Sequence, residues 1–232
     1  ASGNGALRAL KELRRKGGAG LRRLGLPPVK AEEWKYTDLS PFFDRAPIYA
    51  SKGGNATGAV ERLFVAGLSG ARLVFVDGCY HAELSRPIQE NGLCIIPLSR
   101  IAAARDVERL MLERVGVLAD PERDRLAALN SAFAAEGAAL FIGRGRRLSA
   151  PVELIFYGNG AALSAPRLLI LVEQGGEAEI LETYAGPAGG AYLTVPMREI
   201  FLSEESQLRY TALQIQPTEA CQLAGLFVEQ RA

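Results

Sequence analysis

The feature that most restricts the fold is a rhythm of short apolar runs after residue 137. They begin near residues 138, 152, 167, 178, 192, 207 and 221, so successive starts lie 11 to 15 residues apart. Turn-forming clusters stand between them: Gly143-Arg-Gly145, Gly158-Asn-Gly160, Gly175-Gly176 and Gly186-Pro-Ala-Gly-Gly190. Glycine reaches the positive φ of tight turns, so each cluster closes one strand and opens the next. Seven short strands at near-regular spacing fit a sandwich, a barrel or a stacked β-solenoid. Spacing alone leaves these three open. A truncated sandwich would lack a core, whereas a truncated solenoid still stacks each coil on its neighbour.

Residues 1–137 have another texture. Leu7, Leu10 and Leu13 recur at helical spacing until Gly17-Gly18 interrupts the pattern. Pro27, Pro28 and Pro41 bracket a short helical stretch holding the single tryptophan, and Trp34, Tyr36 and Leu39 are expected to pin it to a core. Residues 50–59 read as a small-residue linker. Asp77-Gly78 between two strand-like runs predicts a hairpin over residues 72–84, because a type I′ turn needs two positive-φ residues. A helix is expected over residues 99–118, with Leu110, Met111 and Val115 on its apolar stripe. Asp120-Pro121 predicts an N-cap and first turn of another helix running to about Ala135, with Gly137 as its stop. The expected class is α+β: a mixed, largely helical domain over 1–137, then an all-β domain over 138–232.

Composition narrows the function classes. Lys plus Arg is 27 against 26 for Asp plus Glu, a balance unlike that of a dedicated nucleic-acid or acidic-membrane binder. The charge is nevertheless segregated. Residues 1–30 hold eight bases and one acid, so residues 31–232 carry −6 of the net +1. This basic arm is either a surface for an acidic partner or the solvated face of a short helix. No apolar run reaches 18 residues, the N-terminus has no apolar signal region, and three cysteines are too few for a disulfide framework. A cytoplasmic, reducing location is expected. The chain begins Ala1-Ser2-Gly3-Asn4 and stops in a strand-like run, so it reads as the N-terminal part of a longer protein.

Few residues suggest chemistry. Cys79 and His81 lie two apart, which puts thiol and imidazole on one face of a strand, yet no second pair of ligands follows. They are read as incidental to a surface hairpin. Cys94 and Cys221 are read as small buried hydrophobes. With one histidine, no Gly-x-Ser-x-Gly elbow and no phosphate loop, a self-sufficient active site is not expected. Arg144, Arg146 and Arg147 form a basic knuckle between strands. Glu173, Glu177, Glu179 and Glu182 cluster in sequence, with Glu204 and Glu205 further on, and 177 and 179 share a face. Such clusters serve carbohydrate enzymes built on solenoids, but turn-flanking acids are also ordinary surface.

The run Gly25-Leu-Pro-Pro-Val-Lys-Ala-Glu-Glu-Trp-Lys-Tyr-Thr37 carries a resemblance. Gly25, Leu26, Pro27, Lys30, Glu32, Trp34, Lys35, Tyr36 and Thr37 match the Gly-Leu-Pro-x-x-Lys-x-Glu-x-Trp-Lys-Tyr-Thr signature near the N-terminus of the SufD family, subunits of the SufBCD iron–sulfur cluster assembly complex. Leu73-Val-Phe-Val-Asp-Gly78, Leu129-Asn130 with Ala132-Phe133, and Pro166-Arg167-Leu168 with Gly175-Gly-Glu-Ala178 are similar to later parts of the family. The resemblance implies a helical N-terminal domain followed by a right-handed parallel β-helix. It further implies a non-catalytic scaffold that pairs with a SufB-like subunit, or with itself. A SufC-like ATPase would dock through a C-terminal region beyond these residues. No catalytic, metal or cofactor-binding residue is expected here; the cluster is handled by the full complex. The nine signature residues are expected to be structural. A solenoid carbohydrate enzyme and a nucleic-acid binder using the basic arm are the alternatives.

Overall fold

The computed structural model describes residues 4–28, 32–36, 39, 48–49, 56–90, 92–160 and 162–231. Among the described residues the α-helices are α1 (Asn4–Leu24), α2 (Thr57–Glu61), α3 (Asp106–Arg114) and α4 (Arg125–Phe133). The N-terminal strands are β1 (Ile48–Tyr49), β2 (Arg72–Val76), β3 (Cys79–Tyr80), β4 (Ile88–Glu90) and β5 (Leu93–Pro97). The strand array comprises β6 (Gly137–Ile142), β7 (Val152–Tyr157), β8 (Ala162–Ser164), β9 (Arg167–Val172), β10 (Glu177–Ala185) and β11 (Leu193–Thr194). It continues as β12 (Met197–Leu202), β13 (Gln207–Ile215), β14 (Cys221–Gln222) and β15 (Gly225–Gln230).

Three successive strands make one coil, and the coils stack into a β-solenoid. Gly137 pairs with Arg167, Arg167 with Met197, and Met197 with Gly225, all in parallel register. The resulting sheets run β1-β8-β11-β14, β13-β10-β7-β2-β3 and β15-β12-β9-β6-β5-β4. A sandwich or barrel would pair sequence neighbours; here the strands from β6 to β15 pair with one another a coil apart, all in parallel. The corner after the first strand of each coil repeats a left-handed residue: Gly145 (φ 62°), Gly175 (φ 66°) and Glu205 (φ 57°). Corner hydrogen bonds tie successive coils, from Gly145 N to Gln174 O and from Gly175 N to Glu204 O.

The N-terminal segment contributes strands to all three sheets: β1 pairs in parallel with β8, β2 in parallel with β7, and β5 antiparallel with β6. The predicted hairpin is present, with Asp77 at φ 49° and Gly78 at φ 76° between β2 and β3. Alternation then sorts the side chains. Leu140, Ile170 and Ile200 stand in register inside the coils, and Phe75, Phe156 and Tyr184 stack with centroids 4.9 Å apart at each step. The outward residues Ala139, Leu169, Leu171 and Phe201 pack under Met111 of α3.

Several expectations about the helices need correction. Gly17-Gly18 does not interrupt α1. A Cβ on Gly17 would lie 2.4 Å from Ala132 N, and one on Gly20 would lie 2.0 Å from Pro121 O, so the glycines let α1 press against α4 and its approach loop. That contact offsets a helical cost of about 1 kcal/mol per glycine. The helix expected over 99–118 is shortened to Asp106–Arg114. Before it, the Glu108 carboxylate accepts N–H bonds from Ala102 and Ala104 around Ala103, which sits at φ 57°. After it, the N–H of Gly116 turns to Glu199. Asp120 closes a turn instead of capping a helix; the N-cap is Asp124, whose Oδ1 accepts from Ala127 N at 2.7 Å. That helix ends at Phe133, and Gly137 opens β6.

Within the expected linker, residues 57–59 begin α2, whose Val60 packs on Val74 and Val76 of β2; residues 50–55 lie outside the described residues. Gly25 (φ 69°) closes α1, its N–H donating to Leu21 O. Trp34 and buried Leu39 pack with Leu163, Leu193 and Leu223 on the outside of the solenoid. Tyr36 does not join them: it is 91% exposed, beside the Lys35 ammonium. Lys30 and Thr37 lie outside the described residues.

Candidate functional site

A charged cluster lies between the solenoid and α4. Arg167 and Glu199 are neighbours on β9 and β12, both fully buried on the outward face. All five guanidinium N–H groups find acceptors. Nε and Nη2 donate to Glu199 Oε2, Nη2 also to Ala119 O, and Nη1 to Asn130 Oδ1 and Ser131 Oγ. The Glu199 carboxylate also collects the N–H groups of Gly116, Leu118 and Ala119. Asn130 donates onward to Pro166 O and Val195 O. A buried pair survives desolvation only when its remaining donors and acceptors are met, as here. It fastens α4 and its approach loop to two coils.

A second cluster lies inside the coils. Glu182 of β10, fully buried, takes the position that Leu154 holds one coil earlier. Its carboxylate accepts from Arg198 Nε at 2.7 Å and from the hydroxyls of Tyr184 and Tyr210. Burial pushes both phenols well above the ordinary tyrosine range, and the Glu182 charge adds to it. Burial opposes charge on Arg198, but the Glu182 carboxylate beside it raises the guanidinium. Both phenols therefore stay neutral donors to a carboxylate–guanidinium pair at neutral pH. Sequence reading missed both clusters. Their residues look like ordinary strand charges, and only the tertiary packing buries them, one set under α4 and the other inside the coils. A third pair, Arg72 and Glu153, ties β2 to β7 under the Phe64 ring.

The residues singled out from sequence are scattered. Cys79 opens β3, which ends at Tyr80 one residue before His81; the His81 backbone N–H donates to Val74 O, while its Nδ1 is buried with no hydrogen-bond partner. Among the described residues, no group of three or more His, Cys, Asp or Glu side chains is placed to hold a metal ion. Cys94 is 1% exposed, and Cys221 is half-buried beside the Leu193 cluster. Burial pushes both thiols up, at Cys94 against the opposing pull of Arg105. Cys94 should therefore resist alkylation at pH about 8, reacting at least about tenfold more slowly than Cys221 until the chain unfolds. Mass spectrometry of iodoacetamide-treated protein checks this, and equal rates would contradict the burial.

The acidic cluster divides. Glu177 and Glu179 share the outward face, as expected, but each is paired across coils, with Arg147 at 2.7 Å and with Arg209 at 3.2 Å. Glu182 does not belong with them, because it points into the core. The paired charges line a groove of about 390 Å³ over Leu148, Ala178 and Leu208. Arg147 of the basic knuckle is thus committed to Glu177. These exposed pairs bridge neighbouring coils.

Residues 3–154 match the family model described as the SufBD protein N-terminal region, and residues 155–232 match the SUF system FeS cluster assembly, SufBD core domain. A curated relative, an iron–sulfur cluster assembly SufBD family protein of Synechocystis sp., is 26% identical over 221 residues. That alignment covers 90% of this chain and 48% of the relative, so the chain spans about half the relative's length. Taken with the solenoid and the N-terminal strands that extend its sheets, these matches establish that the chain belongs to the SufBD family of the SUF iron–sulfur cluster assembly system.

Proposed function

We propose that the protein is a non-catalytic scaffold subunit of SufD type. It works in the cytoplasm with a SufB-like and a SufC-like ATPase subunit, and the nascent cluster is its cargo. One observation carries the reading. The stacked solenoid puts its buried charges, Arg167 with Glu199 and Glu182 with Arg198, to structural use, in a chain whose residues 155–232 match the SufBD core domain. The family match supplies the system in which such a scaffold would work.

Co-purification tests this. The intact parent protein, tagged and expressed in its own host, should retain an ABC-type ATPase and a second β-helix subunit. Its deletion should lower cluster loading of recipient proteins. A parent that comes down alone and leaves cluster loading unchanged would sink the proposal.

A further inference from the structure

α1 carries seven bases and one acid, so it holds +6 while the remaining 211 residues carry −5. Its apolar stripe is fully used: Ala6, Leu10, Leu13, Gly17 and Gly20 are buried against the body of the protein. The opposite face presents Arg8, Lys11, Arg15, Lys16, Arg22 and Arg23, all exposed. Arg8, Lys11, Arg15 and Arg22 follow one another at three-, four- and seven-residue steps, a single row about 21 Å long. Arg15 is paired with Glu12, and Arg23 donates to Glu122 O. At the N-terminal end the row borders a shallow groove of about 490 Å³ formed by Leu7, Arg8, Lys11, Glu12 and Arg15, with Leu7 51% exposed.

We propose that this face docks another protein through an acidic amphipathic helix, whose carboxylates meet the row while one apolar side chain meets Leu7. Three polyanions could answer the charge, and the surroundings separate them. A lipid surface binds amphipathic helices through their apolar stripe, which here is occupied. A nucleic-acid backbone needs only cations and extends far past one helix, onto a protein surface that is net negative. A helix of matching length stays on the row and makes use of Leu7. The contact is small, polar and screened, as in transient encounters.

The test uses the 232-residue chain and a fluorescein-labelled helical peptide of about 18 residues, with Glu at helical spacing along one stripe and a single Leu within it. Anisotropy should report binding at about 50 mM salt that weakens about tenfold by about 300 mM. Arg8→Glu with Lys11→Glu, both exposed, should weaken it at least about tenfold with an unchanged circular dichroism spectrum, and Leu7→Ala about threefold. A duplex of about 18 base pairs and vesicles with about 25% phosphatidylglycerol should bind no tighter than the peptide. Absence of peptide binding at low salt, or indifference to the charge reversals, would overturn the proposal. So would tighter binding of duplex or vesicles that ignores Leu7. Neither result bears on the assembly role, which co-purification tests separately.

Discussion

Arg167→Leu should cost about 3–5 kcal/mol of folding stability, because it leaves the Glu199 carboxylate buried without its counter-charge. A typical domain is stable by only about 5–15 kcal/mol, so a loss of this size takes a large share. The carboxylate would keep the N–H groups of Gly116, Leu118 and Ala119, but Ala119 O, Asn130 Oδ1 and Ser131 Oγ would each lose a donor. The double variant Arg167→Leu, Glu199→Leu removes both charges together and should cost less than the two single changes added. Urea unfolding of the three variants measures this. A single Arg167→Leu change costing under about 1 kcal/mol would mean that the network does not hold the helical layer. Should Arg167→Leu fail to fold, the double variant and Glu199→Gln still bracket the coupling.

Gly20→Val is expected to undock α1 at a cost of about 3 kcal/mol or more, since overpacking against backbone has no side chain to give way. The nearest atom to a new Cβ is the Pro121 carbonyl oxygen at 2.0 Å, with the Ala128 Cβ also close at 3.3 Å. Gly18 provides the control. It lies two residues away, and a Cβ there meets nothing nearer than the Arg22 Nη1 at 3.6 Å. Gly18→Ala should stabilise the helix by about 0.5–1 kcal/mol. Limited proteolysis within α1, read beside the thermal midpoint, distinguishes undocking from global unfolding. Equal effects at the two positions would refute the close α1–α4 contact.

Much of the strand array was legible in the sequence. Apolar runs separated by glycine turns predicted seven strand starts, which fall on β6, β7, β9, β10, β11, β13 and β14 but leave out β8, β12 and β15, and Asp77-Gly78 predicted the β2–β3 hairpin with both residues at positive φ. These are local signals, set by turn chemistry within a few residues. Helix ends depart from the local signals where another group captures the backbone. Glu199, more than 80 residues away, takes the N–H groups that a longer α3 would need, and Asp124 outcompetes Asp120 as the cap. The glycines of α1 were read by propensity, whereas their role depends on the carbonyl of Pro121 and the amide of Ala132. Tyr36 was grouped with Trp34 because both are aromatic, yet the chain turns one inward and the other out.

The amino-acid sequence by itself determined the presence of a strand array, the segregation of charge onto the first helix, and the family signature at residues 25–37. Each rests on neighbours in the chain, where period and turn residues act. The tertiary structure decided which charges are surface and which are core. Glu177 and Glu182 sit five residues apart on one strand, yet one faces solvent beside Arg147 and the other is sealed with Arg198 and two tyrosines. A period of two assigns them opposite faces, but it cannot say which face is inside. That choice belongs to the stacking of coils, where partners 16 to 32 residues away in sequence supply the counter-charges and make burial affordable.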